Sequence, residues 1–179
     1  LKLLSRHGSS ASELSAIFVA VGPGSFSALR VGISAAKGLA LGAGSALVGV
    51  STMWIEAAPF EGQGLPLRPI LDAAWGALSV GHFVSSPSGL EELASPALMT
   101  VEGLVREVEV PTLFCGEHLP AVRETLASAL GDRARFPETA TLERRPRYLS
   151  AMGWRRLQNP KVANLDVAPI YARPPSISK

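Results

Sequence analysis

The sequence predicts an α/β protein in which buried strands alternate with helices and pair in parallel. Two observations carry that expectation. Ile17-Phe18-Val19-Ala20-Val21 and Ala46-Leu47-Val48-Gly49-Val50 are continuous apolar runs bounded by turn residues, the pattern of strands covered on both faces. Each is followed at once by a helix-prone stretch, Ser27 to about Leu41 and Thr52 to about Phe60, with links so short that neighbouring elements must pack together. A third observation marks a change of unit: Glu61-Gly62-Gln63-Gly64 is glycine-rich and without periodicity. It predicts one α/β domain over 1–61 and a second over 62–179, with the last helix and extended segment packing back on the first.

Element by element, Leu1-Lys2-Leu3-Leu4-Ser5-Arg6-His7-Gly8 reads as the last two turns of an amphipathic helix, its basic end suiting the helix dipole and Gly8 supplying a left-handed cap. So short a helix is marginal alone, and no initiator Met precedes it, so an upstream segment is expected. Ser9 to Ser15 is a polar connection. Gly22 to Phe26 is a tight turn into the first long helix, and Ser51 caps the next one. Beyond the boundary, Leu67 to Ala73 and Ala77 to Ser85 are strands around an Ala74-Trp75-Gly76 hairpin. Pro87 to Pro96 is expected to be a loop. Thr100 caps a short helix to Glu107, Thr112 to Gly116 is a buried strand, and Leu119 to Leu130 is a helix ended by Gly131. Pro146, suited to a first helical turn, starts the last helix, and Pro169 to Arg173 is extended.

Composition narrows the function classes. The chain has 179 residues, 47% of them apolar, enough to bury roughly two-thirds of the unfolded surface without staples. A single cysteine, Cys115, excludes internal disulfides and zinc knuckles and fits a reducing, cytoplasmic location. Lys2, Arg6, His7 and Glu13 interrupt any leader-like apolar run. Gly38 to Ile55 carries no charge, but Gly42, Gly44, Ser45 and Gly49 break it, so it reads as helix, turn and strand and not as a membrane span. Charge is uneven: residues 1–132 carry 7 basic and 12 acidic side chains, residues 133–179 carry 10 and 3. A segment of that kind is either a solvated surface or a contact for an acidic partner such as RNA.

The most specific feature is the strand, glycine turn and helix from Ile17 to Gly42. A glycine turn opening a helix points backbone amides at an anion. Gly22-Pro23-Gly24-Ser25-Phe26 is nevertheless neither a Walker A loop, lacking Gly-Lys-Ser/Thr, nor a dinucleotide fingerprint, and it reads equally as a turn that lets strand and helix pack closely. In the helix, Ala28, Gly32, Ala36 and Ala40 recur every fourth residue and leave one stripe bare. Glycine inside a helix costs about 1 kcal/mol relative to alanine, which close approach of another backbone would offset. Leu29, Ile33 and Lys37 form a second row, and Val31, Ala35 and Leu39 are expected to face the sheet. The helix is therefore expected to be covered on two sides, with a homodimer through the Ala28 to Ala40 face as one way to cover it.

Val21-Gly22-Pro23-Gly24-Ser25-Phe26-Ser27-Ala28-Leu29-Arg30-Val31-Gly32, continuing through Ala36-Lys37-Gly38-Leu39-Ala40-Leu41 to Val48-Gly49-Val50-Ser51-Thr52, closely resembles the signature of the bacterial TsaB (YeaZ) family. Leu71-Asp72-Ala73 and Ala168-Pro169-Ile170-Tyr171-Ala172-Arg173 extend the resemblance. It implies an actin-like ATPase (ribonuclease H-like) fold of two related α/β domains, the first truncated here of its opening strand hairpin. It also implies a cytoplasmic, non-catalytic scaffold that dimerises with TsaD and meets the ATPase TsaE, for threonylcarbamoyl modification of the tRNA adenosine beside the anticodon. By position Ala28, Leu29, Gly32, Ile33, Ala36, Lys37 and Ala40 would lie on the TsaD contact, with Leu1 to Leu4 as the companion helix and ATP at the partner interface as the one cofactor in prospect. The family usually has Thr at Ser27, Gly at Ala28 and Arg at Ala74.

Catalytic groups are scarce. His7, His82 and His118 are isolated, without metal-ligand spacing. Ser25 and Ser27 beside Arg30 lack a neighbouring base and a nucleophile elbow, so peptidase chemistry finds no support. Asp72 at a strand end, and Trp54, Trp75 and Trp154, read most simply as structural. Arg144, Arg145, Arg147, Arg155, Arg156 and Lys161 would suit tRNA phosphates or a solvated helix face. The competing class is an independent nucleotide-binding enzyme that uses Gly22 to Phe26, with Arg30, as a phosphate cradle.

Overall fold

In the computed structural model, residues 2–138, 146–158 and 167–172 are described, apart from the side chains of residues 2 and 3. Arg144, Arg145, Lys161 and Arg173 lie outside them. Two sheets carry the fold. The first is a parallel pair, β1 (Ala16–Gly22) with β2 (Ala46–Ser51), joined by α2 (Phe26–Ala43). Ahead of it stand α1 (Lys2–Arg6) and a short 3-10 turn, Ala11–Glu13. Gly8, at φ 68°, ends α1 as the left-handed cap, with Ser9 N–H returning to Leu4 O at 3.0 Å.

The second sheet has the order β5-β4-β3-β6-β7. Its strands are β3 (Leu67–Asp72), β4 (Leu78–Ser86), β5 (Gly89–Met99), β6 (Thr112–Cys115) and β7 (Ala134–Arg135). β3 runs antiparallel to β4 and parallel to β6. Before this sheet comes α3 (Thr52–Ala57), capped by Ser51, whose Oγ accepts the Met53 N–H at 3.3 Å. Within it lie α4 (Val101–Glu107), capped by Thr100 accepting from Gly103 N–H, and α5 (Leu119–Leu130).

Side-chain alternation along β1 and β2 divides the first half into two covered faces. Ile17, Val19, Val21 and Leu47 pack under α2 with its Leu29, Ile33, Ala36 and Ala40. Ala20 and Val50 turn the other way, to Met152, Tyr148 and Leu149 of α6 (Pro146–Leu157) and to α3. Gly153 is where α6 comes closest: a Cβ there would collide with the Phe18 ring. The second sheet sandwiches Ile70, Leu78, Val80 and Phe114 against α4 and α5 on one side, and Leu67, Leu71, Phe83 and Leu113 against Met53 and Ala57 of α3 on the other.

Three expectations are corrected. Pro87 to Pro96, expected as a loop, is for the most part β5: a turn at Ser86 to Gly89 folds the chain back on β4, and Pro96 is tolerated because β5 is an edge strand with one side unpaired. β1, expected to be buried on both faces, is half-buried over Ala16 to Ala20 and fully buried only at Val21 and Gly22. Val31, Ala35 and Leu39, expected against the sheet, point outward, because the row Leu29, Ile33, Ala36, Ala40 is the one that meets β1 and β2.

Candidate functional site

α2 follows β1 after the turn Pro23-Gly24-Ser25 and stops where Gly44 takes φ 66° as a left-handed cap. Its inner row is fixed by the sheet, and at 3.6 residues per turn the flank that runs from beside that row round to the far side carries Ala28, Val31, Gly32, Ala35, Gly38, Leu39 and Gly42. Every one of these is exposed. Val31 is 71% exposed and Leu41, at the end of the helix, 84%, while a Cβ added at Gly32, Gly38 or Gly42 would meet no atom within 4 Å. Of the seven positions expected to share a partner contact, the structure therefore splits the set. Ala28, Gly32 and Lys37 face out, whereas Leu29, Ile33, Ala36 and Ala40 are covered by the chain's own sheet.

The glycine turn is built into a second assembly. Gly22 takes φ 108°, and the space beside its α-carbon is filled by the backbone carbonyl of Ile170, whose N–H donates to Val21 O at 2.6 Å. A side chain would be strained there and would collide, so glycine at this position is explained by the returning tail. Next to it the Arg30 guanidinium lies 4.1 Å over the Phe26 ring, and its Nε–H donates to Tyr171 Oη at 3.1 Å. The Phe26 and Tyr171 rings stand 4.9 Å apart. Signature loop and tail thus form one aromatic and guanidinium cluster, and Arg30 is held by π-stacking and a hydrogen bond. Gly24, Ser25 and Phe26 remain on the surface, and Ser25 makes no side-chain cap bond to α2. For a nucleotide phosphate the fit is poor, since the flank of Gly22 that a cradle would leave open is occupied by Ile170.

Other chemistry-bearing residues are dispersed. His7 follows α1, His82 lies on β4 and His118 immediately precedes α5, and among the described residues no group of three His, Cys, Asp or Glu could hold a metal ion. Asp72 ends β3, and its Oδ1 accepts the Ala74 N–H at 2.9 Å, holding a hairpin in which Ala74 and Trp75 both take positive φ. Arg68 is buried, which lowers its pKa, and its guanidinium meets Glu107 at 3.4 Å. Nearby, partial burial and then the Arg68 charge hold the His82 imidazole below its usual pKa. Cys115 is 1% exposed, and burial pushes its thiol pKa far up, so it is a core residue and not a nucleophile. Of the basic residues, Arg147 and Arg155 are exposed on α6, while Arg156 donates to Gly49 O at 2.7 Å and ties α6 to β2.

Val31 and Leu39 as outward residues, and Tyr171 as the partner of Arg30, were not anticipated. Leu29, Ile33, Ala36 and Ala40 do follow the i, i+4, i+7, i+11 spacing of a core stripe, but small and apolar residues on the other faces of α2 offer competing stripes. Tyr171 stands 141 residues from Arg30 and gives no local sign of the pairing.

Against known proteins, the family described as "TsaD: tRNA N6-adenosine threonylcarbamoyltransferase" matches over residues 1–175. The tRNA threonylcarbamoyladenosine biosynthesis protein TsaB of Bacillus subtilis (strain 168) is 29% identical over 147 residues, 79% of this chain. The chain spans only 63% of that relative's length. The protein of the same description from Escherichia coli (strain K12) is 45% identical over 51 residues, 28% of this chain and 22% of the relative. Among solved structures, YeaZ from Pseudomonas aeruginosa superposes with a TM-score of 0.72 at 22% identity, covering 95% of this chain and 79% of that one. That likeness shows the fold, and with the family match over residues 1–175 it agrees with the actin-like, ribonuclease H-like α/β architecture.

Proposed function

This chain belongs to the family described as TsaD: tRNA N6-adenosine threonylcarbamoyltransferase, as a member of its TsaB (YeaZ) type, and from that premise we propose that it is a non-catalytic docking subunit in threonylcarbamoyl modification of tRNA. Its partner is a TsaD-type subunit, with a TsaE-type ATPase joining the pair, in the cytosol where tRNA is found. The observation that carries this reading is the exposed flank of α2 from Gly32 round to Gly38. Three glycines and two alanines there give a flat helix surface, framed by exposed Val31 and Leu39, on which a second helix can approach closely. A face of small residues flanked by aliphatic ones favours packing over chemistry.

Gly32→Leu tests it. The added side chain enters open space within this chain, so the fold tolerates it apart from the ordinary helix effect. Light scattering of the variant mixed with a TsaD-type partner should show two separate proteins where the parent forms a complex, with tRNA modification lost in parallel. A complex of undiminished stability would remove α2 from the contact.

A further inference from the structure

α6 is the described helix with the most basic residues, and it carries only positive charge. Pro146–Leu157 contains Arg147, Arg155 and Arg156 and no acidic residue. Its inner side is spent on Met152 and Gly153, which meet the first sheet, and on Arg156, bonded to Gly49. Its outer side is Arg147, Ser150, Ala151, Trp154 and Gln158, all exposed, with Arg155 beside them. Trp154 is 52% exposed, although a large aromatic in a small protein is ordinarily a core residue. Arg147 lies two turns earlier on the same line, about 10 Å along the axis. Between them on the helix stand only the short, exposed side chains of Ser150 and Ala151.

We propose that this face of α6 is a stacking surface for a single-stranded stretch of RNA, with Trp154 as the platform for a base and Arg147 and Arg155 as phosphate contacts. The proposal rests on the reading of the chain as a tRNA-modification subunit. Charge complementarity selects the occupant: α6 carries three arginines and no acidic residue, a polyanion's counterpart and a poor match for a basic protein face. Arg155 pairs with Glu61 at 3.7 Å, but that pair is on the surface and gives way readily to a phosphate. Arg147 rests 4.6 Å over the Tyr148 ring with its Nη2–H donating to the hydroxyl, which holds its guanidinium in place on this face. A ring that stacks without reading base edges would recognise unpaired nucleotides as a class and not a sequence.

The test titrates the full chain with a short single-stranded oligouridylate and with an RNA duplex of equal length, following tryptophan emission and anisotropy. The single strand should bind better and quench the emission. Trp154→Ala should weaken it by about 5-fold to 100-fold, Trp154→Phe should restore most of the loss, and Trp75→Phe should leave it unchanged. Arg147→Gln with Arg155→Gln should reduce the slope of log affinity against log salt by roughly 1.4, two single-strand phosphates. Equal affinity of Trp154→Ala and parent for the single strand would overturn the proposal. So would loss of the TsaD-type complex in Trp154→Ala with RNA affinity intact, which would make α6 a protein contact. Light scattering on the same samples separates the two readings, since Gly32→Leu should break the protein complex and spare RNA binding, and the α6 variants should do the reverse.

Discussion

Gly153 shows how a single residue sets the distance between two elements. It sits in α6, where glycine is otherwise a poor choice, because the Phe18 ring of β1 occupies the place of its side chain. Gly153→Val should therefore force helix and strand apart and cost about 1 to 3 kcal/mol or more, read as a lower denaturation midpoint at unchanged slope. A neutral outcome would mean that α6 does not lie on β1 at this height. At this scale the sequence was legible wherever the cause was local. Ser51, Thr100 and Gly8 are caps whose partners stand within a few residues, and each does what its type and position predict. Gly22, Gly49 and Gly153 are glycines because of atoms far along the chain, those of Ile170, Val21 and Phe18, and no neighbouring residue announces them.

Among elements, α5 was readable to the residue, since Pro120 and Gly131 bracket an apolar spacing that has only one face to bury. The phase of α2 was not, because small and apolar residues run almost all round it and the pattern leaves the sheet-facing side ambiguous. The sheet resolves the ambiguity and yields a paired test. Ile33→Ala should destabilise the chain by about 2 to 5 kcal/mol, whereas Val31→Ala, two residues away, should change stability by less than about 0.5 kcal/mol. Equal effects in thermal melts would mean that the helix is rotated from the position described. β5 escaped the sequence reading for a different reason. Its residues beyond Leu90 are largely exposed, so neither a continuous apolar run nor a clean alternation marks it, and its identity comes from pairing with β4.

Across the whole molecule, the tail is a structural member of the first half. Val167 is buried against Gly49, Ile170 bonds to Val21, and Tyr171 joins Phe26 and Arg30. A chain ended after Gln158 should lose at least about 2 kcal/mol through uncovering this cluster, visible by calorimetry as a lower melting temperature. An unchanged melt would show the tail to be dispensable. The α/β class, the strand-helix-strand opening and the relatedness to TsaB proteins could all be read from the sequence, because they rest on contiguous residues. How the end closes over the beginning could not, since it depends on pairs such as Arg30 with Tyr171.

That closure has a consequence for how the protein is made. Arg30 and Tyr171 are 141 residues apart, so at ordinary rates of synthesis roughly 7 to 30 s pass between the appearance of the signature loop and that of the residues that cover it. For that interval β1 and the inner row of α2 leave the ribosome with part of their apolar cover still unwritten, while the second sheet and the helices that cover it, α3 included, all lie between Thr52 and Arg135 and can close together. The second half of the chain is thus the part equipped to fold first, and the first half is completed only after it, by residues translated some 141 positions behind the signature loop.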